Sequence, residues 1–130
     1  MRIATRGDAI ARQEDIMKNT LLARTKVFAL HIVRMFAALP KSDEGRVLGR
    51  QVLRSGTSVG ANYRETYRAR SKAEFVAKAG DCLREIDETG YWLELLVDAE
   101  IVSADKLAAL RQECEELTAI FVTILKRSKE

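Results

Sequence analysis

Five arginines, Arg46, Arg50, Arg54, Arg64 and Arg68, have the spacing to act together. At 3.6 residues per turn they fall on one side of a single long helix over residues 44–70. Leu48, Val52, Ser55, Val59, Asn62 and Thr66 fall on the opposite side. Only Thr57 and Ala61 stand between the arginines on that strip, so it has a low middle and no interleaved acid. A row of guanidinium groups suits an anionic partner, either a phosphate backbone or an acidic protein surface.

The other reactive residue types do not converge on catalysis. His31 is the sole histidine, and no Glu-x-x-His or His-x-x-x-His spacing exists to build a metal site or a triad. Cys82 and Cys114 occupy apolar seam positions, where a free thiol behaves as a small hydrophobe. No catalytic residue, metal ligand or cofactor is therefore assigned, and the chain reads as non-enzymatic.

Glu74, Asp81, Glu85 and Glu88 share a flank of a third helix, with Trp92 continuing the line and Tyr91 beside it. That flank is either a solvated face or the counterpart of the arginines, in the same subunit or a neighbouring one. Tyr91 and Trp92 are adjacent on a helix, so both cannot enter one seam, and one belongs at a flank or an interface. Aromatic residues make up only 6% of the chain, and Tyr67 alone lies near the arginine strip. Nucleic acid would then be held through phosphates, with little sequence preference and strong salt dependence. The alternative is a scaffold whose arginine face docks acidic surfaces of another subunit or a partner protein.

Four helices must position these groups. The first runs from about Leu22 to Ala38, with Val27, Leu30, Val33 or Arg34, and Phe36 or Ala37 as its apolar side, and Leu39-Pro40 ends it. Ser42 caps the second, and Asp43 and Glu44 suit its dipole. Gly56 and Gly60 inside it call for a packing reason or a bend. Ser71-Lys72-Ala73-Glu74 forms a capping box for the third, whose seam is Phe75, Ala79, Cys82, Ile86, Gly90, Leu93 and Val97. After a break at residues 99–103, Ser103 caps the fourth, with a seam of Leu107, Leu110, Cys114, Leu117, Phe121 and Ile124. Short links make neighbouring helices antiparallel, giving an all-α, up-down-up-down, left-handed four-helix bundle over residues 21–130. Residues 1–20 carry no clear pattern and read as an N-terminal arm, loose or a helical lead-in. Gly56, Gly60, Gly80 and Gly90 would permit close backbone approach and suggest self-association.

Composition agrees with a folded domain. The 130 residues are 47% hydrophobic and 32% charged, with one proline and seven glycines, which favours few long elements. The net charge of +3 conceals a polarised chain. Residues 21–72 hold eleven Lys/Arg against three acids, whereas 73–102 hold two against eight. No apolar leader or membrane-length run is present, so the expected compartment is the cytoplasm.

Leu53-Arg54-Ser55-Gly56-Thr57-Ser58-Val59-Gly60-Ala61-Asn62, then Ser71-Lys72-Ala73-Glu74-Phe75, then Glu85-Ile86-Asp87-Glu88-Thr89-Gly90-Tyr91-Trp92-Leu93, resembles a bacterial family. These are the four-helix-bundle proteins of the 23S rRNA intervening-sequence type, also called the S23 ribosomal protein family. The likeness covers about Asn19 to Lys129; Thr66 stands where many members have glycine. The resemblance implies a small bundle encoded, in some bacteria, within insertions in large-subunit rRNA genes, with no agreed active site. The chain is also similar to the accessory variability determinant of diversity-generating retroelements. That likeness implies a ring-shaped homopentamer with a basic surface, and RNA or DNA and a reverse transcriptase as partners.

Overall fold

A computed structural model describes residues 5–129, so part of the arm assigned to residues 1–20 lies outside the described residues. Four helices follow one another: α1 (Arg6–Ala38), α2 (Asp43–Tyr67), α3 (Lys72–Asp98) and α4 (Ala104–Ser128). They pack as an all-α four-helix bundle. The backbone of α1 is already helical at Arg6, well before the Leu22 start expected from the pattern. α2 and α3 share the largest interface and α1 and α4 the smallest. An ion pair between Arg24 and Glu113 helps to close that thinner side.

The helix ends follow local chemistry, with two departures. The Ser42 hydroxyl accepts from Gly45 N at 3.1 Å and the Ser71 hydroxyl from Glu74 N at 3.0 Å, as N-caps should. The capping box of α3 is incomplete: the Glu74 carboxylate accepts from Arg70 N at 3.4 Å, one residue before the cap amide expected for it. Ser103 occupies the N-cap position of α4 with extended backbone, but its hydroxyl makes no cap hydrogen bond. At the end of α3, Leu96 O accepts from Ile101 N at 3.0 Å while Val97 O accepts from Glu100 N at 3.0 Å. This is a Schellman turn, and it places Glu100 at φ 59, where glycine is the usual occupant.

Burial on α1 differs from the expected pattern. Leu21, Thr25, Phe28, Ile32 and Leu39 point inward. Val27, Leu30 and Val33, expected on the apolar inner side, remain 48%, 44% and 45% exposed. The helix carries two apolar stripes, and α2 selects between them with a ladder of glycines. A Cβ at Gly49 would stand 2.7 Å from Leu39 Cδ1, and one at Gly56 2.8 Å from Ile32 Cγ1. At Gly60 it would stand 3.3 Å from the Thr25 carbonyl oxygen. Side chains of α1 fill the space those glycines leave, so Gly56 and Gly60 have a packing reason and α2 runs without a break. These glycines serve contacts within one chain. A Cβ at Gly90 would stand 3.4 Å from Cys114 Sγ, whereas one at Gly80 would meet nothing within 4 Å.

The α4 seam is buried from Leu107 to Phe121, with Ile124 packed on its edge. On α3, Ala79, Cys82, Ile86 and Leu93 are buried as expected, joined by Thr89 and Leu96 in place of Gly90 and Val97. Small polar groups lie at the α2–α3 contact. Thr89 Oγ1 donates to Ser55 Oγ at 2.8 Å, and Thr66 Oγ1 lies 3.6 Å from Cys82 Sγ. Ser55, Thr66 and Thr89 also each reach a carbonyl one turn earlier on their own helix, so none of these buried hydroxyls is unmatched.

Candidate nucleic-acid interface

The inner half of α2 fixes where its arginines point. Val52, Ser55, Val59 and Thr66 face the core, so the side 180° away must face solvent. Arg46, Arg50, Arg54, Arg64 and Arg68 are all exposed there. From Arg46 to Arg68 the row spans about 33 Å at 1.5 Å per residue.

The five are not equivalent. Arg54 is held by α3: it lies 3.4 Å from Glu85 Oε2 and pairs more closely with Glu88. Glu88 also accepts from Trp92 Nε1 at 3.2 Å. Arg46, Arg50, Arg64 and Arg68 have no ion-pair partner among the described residues. Four of the five guanidinium groups therefore present their charge outward, in two pairs flanking a neutralised centre.

The acidic flank of α3 divides likewise. Glu85 and Glu88 answer Arg54 within the same chain, Asp81 pairs with Arg84 at 3.3 Å, and Glu74 serves the α3 amino end. Trp92 is half-buried beside Glu88, and Tyr91 is 54% exposed, with the rings in edge contact at 5.1 Å. Tyr91 is thus the exposed member of that pair.

Sequence reasoning missed the cations that join Arg64 and Arg68 at one end of the bundle. Arg70 and Lys78 share a depression of about 680 Å³ with them, beside Glu65 and Glu74. Lys78 is bound to Glu65 at 2.6 Å, and that hydrogen bond raises its pKa. Lys26 of α1 comes close from the other side, across a groove of about 580 Å³. The signal was the register of two antiparallel helices, which no single-helix pattern contains. Tyr63 and Tyr67, one turn apart, also separate. The Tyr63 ring enters the core against Phe121, at 5.9 Å, and burial pushes its pKa up to about 12, whereas Tyr67 stays 41% exposed.

Both thiols are enclosed. Burial pushes Cys82 up to about 11 and Cys114 up to about 12, so neither is a thiolate near neutral pH. Among the described residues no group of three or more His, Cys, Asp or Glu could hold a metal ion, and no helix is long and apolar enough to cross a membrane.

These features define a small helical bundle with one cationic flank. The chain belongs to the 23S rRNA-intervening sequence protein family, whose model matches residues 17–123. It is similar to a protein of unknown function from the S23 ribosomal protein family of Bacteroides thetaiotaomicron VPI-5482, known from a 1.70 Å crystal structure. The two share 35% identity at a TM-score of 0.78, over 84% of this chain and 97% of that one. No curated protein matches the chain.

Proposed function

We propose that this protein is a non-enzymatic homo-oligomer that binds RNA or DNA backbone through the outer face of α2. The observation that carries the reading is the set of four exposed arginines, Arg46, Arg50, Arg64 and Arg68, without carboxylate partners among the described residues. Glu85 and Glu88 are already engaged by Arg54, so an occupant of the face brings its own anions. That argument favours nucleic acid over the α3 flank of a second copy. An acidic partner protein, a reverse transcriptase surface included, is the competing occupant and would use the same arginines.

Self-association is supported by the outer stripe of α1. Val27, Leu30 and Val33 form an exposed apolar row at helical spacing. Five subunits is the number that the likeness to the accessory variability determinant implies, and the cytoplasm is the setting proposed for it.

Binding to structured RNA and to duplex DNA, measured across a salt series, tests the reading. Log affinity is expected to fall linearly with log salt, with a slope near −0.9 for each duplex phosphate neutralised. A salt-independent affinity, or none for either polymer, removes it.

A further inference from the structure

The groove between α1 and α2 has a composition that the arginine row alone does not explain. Its volume is about 580 Å³, inside the roughly 300–1,000 Å³ range of small-ligand sites. Leu22 and Ala61 line it with the half-exposed ring of Tyr67, while Lys26, Arg64 and Arg68 supply cationic groups. Among the described residues no carboxylate lines it. Its floor is low because Gly60 lets α2 approach the Thr25 backbone.

An apolar recess with one aromatic ring and three cations suits a flat, uncharged ring system carrying phosphate. We infer that this groove receives one unpaired nucleotide of a single strand, its base against Tyr67 and its phosphates on Lys26, Arg64 and Arg68. The inference rests on the proposed nucleic-acid reading and sharpens it. The α2 arginines hold any backbone, and the groove adds a preference for unstacked bases. A base inside a duplex is stacked on both faces and cannot enter a recess between two helices, whereas a splayed base can stack on an aromatic side chain. One ring gives one stacking site, so the preference is for single strands and not for a sequence.

The test compares oligouridylate and oligothymidylate, each carrying one 2-aminopurine, with a duplex of equal length. Tyr67→Ala removes the ring, Ala61→Leu fills the recess from an exposed helix position, and Tyr67→Phe keeps the stacking face. Tyr67→Ala and Ala61→Leu are expected to weaken single-strand binding about 5- to 140-fold, the range for loss of one stacked base. Duplex affinity and the salt slope stay at wild-type values, and 2-aminopurine quenching disappears in both variants. Tyr67→Phe restores quenching and affinity. A ribose-specific gain with oligouridylate would identify RNA as the strand, and equal binding of both oligomers would mean the groove reads base and phosphate alone. Wild-type single-strand affinity in both groove variants, with arginine variants still impaired, overturns the groove and leaves the α2 reading intact. No binding of any probe by the wild-type protein overturns both.

Discussion

Thr89 Oγ1 lies 2.8 Å from Ser55 Oγ at the α2–α3 contact, with both residues fully buried. Ser55 donates in turn to Gln51 O at 3.0 Å, and the Thr89 hydroxyl also lies 2.7 Å from Glu85 O. The Ser55 proton thus goes to its own helix, and the Thr89 proton is shared between Ser55 Oγ and Glu85 O. Thr89→Val keeps the shape and is expected to cost about 1 kcal/mol, the worth of one lost hydrogen bond. Ser55→Ala should cost a similar amount. Each single variant leaves the other hydroxyl its own-helix carbonyl and removes the same shared bond, so the double variant should cost less than the sum. Strict additivity in urea melts would mean that the pair does not couple the helices.

Arg54 and Arg64 occupy the same face of α2 but should behave differently. Arg54 already answers Glu85 and Glu88, whereas Arg64 has no such partner among the described residues. Arg64→Ala and Arg68→Ala are each expected to reduce the magnitude of the salt slope of nucleic-acid binding by about 1. Arg54→Ala should change it less, and cost about 0–1 kcal/mol of stability for an exposed pair. Equal slope changes at all three positions would show that the α3 carboxylates do not restrain Arg54.

Legibility in the sequence followed uniqueness of pattern. Leu107, Leu110, Cys114, Leu117 and Phe121 offer one apolar stripe with no competitor, and all five are buried. The α2 stripe was readable in part, because arginines exclude the opposite face: Val52, Ser55, Val59 and Thr66 are buried, but Leu48 and Asn62 are half-buried and Tyr63 is buried beside them. α1 was not, since Val27, Leu30 and Val33 compete with Phe28 and Ile32 on spacing alone. The choice depends on Gly49, Gly56 and Gly60 of another helix, so it is a property of the pair. The candidate site divides the same way. Exposure of the arginines followed from one helix, but the neutralisation of Arg54 and the arrival of Lys26 needed the neighbours.

The turn after α3 stores a small strain. Glu100 stands at φ 59 in the Schellman position, a conformation costing an L-residue roughly 1–2 kcal/mol. Glu100→Gly should relieve about 1 kcal/mol of that, offset in part by the larger entropy of the unfolded glycine. The expected readout is a melting temperature raised by a few degrees, with unchanged helicity. A lower melting temperature would mean that the Glu100 side chain stabilises the turn more than its backbone strains it.

Cys82 and Cys114 bind their protons more tightly when folded, with values of about 11 and about 12 against an ordinary 9.0. The unfolded chain loses those protons first as pH rises. Stability from the buried thiols is therefore complete below about pH 9 and is lost progressively as pH rises toward 11 and 12. Each titrating thiol contributes a slope of up to about 1.4 kcal/mol per pH unit in that window. Denaturant melts between pH 8 and 11 should show falling midpoints, and Cys82→Ala with Cys114→Ala should flatten the decline. A flat wild-type profile would show the thiols to be solvated.

The outer stripe of α1 yields the sharpest test of assembly. Leu30 is 44% exposed at the middle of the row formed with Val27 and Val33, and none of the three belongs to the core. A monomer can tolerate Leu30→Glu at little cost, since surface changes away from special features usually stay within about 0.5 kcal/mol. An oligomer that buries the stripe cannot, because the carboxylate would be desolvated without a partner. Light scattering on the eluting protein should therefore show the wild type at a multiple of 14.6 kDa and Leu30→Glu at the single-chain mass, with the helical content of both unchanged. Multivalency would make this visible in binding as well: several α2 faces on one particle raise avidity for a long strand, so the variant should lose affinity for long RNA more than for short RNA. If the wild type already elutes as a single chain, the α1 stripe has no role in self-association and the arginine face must bind alone.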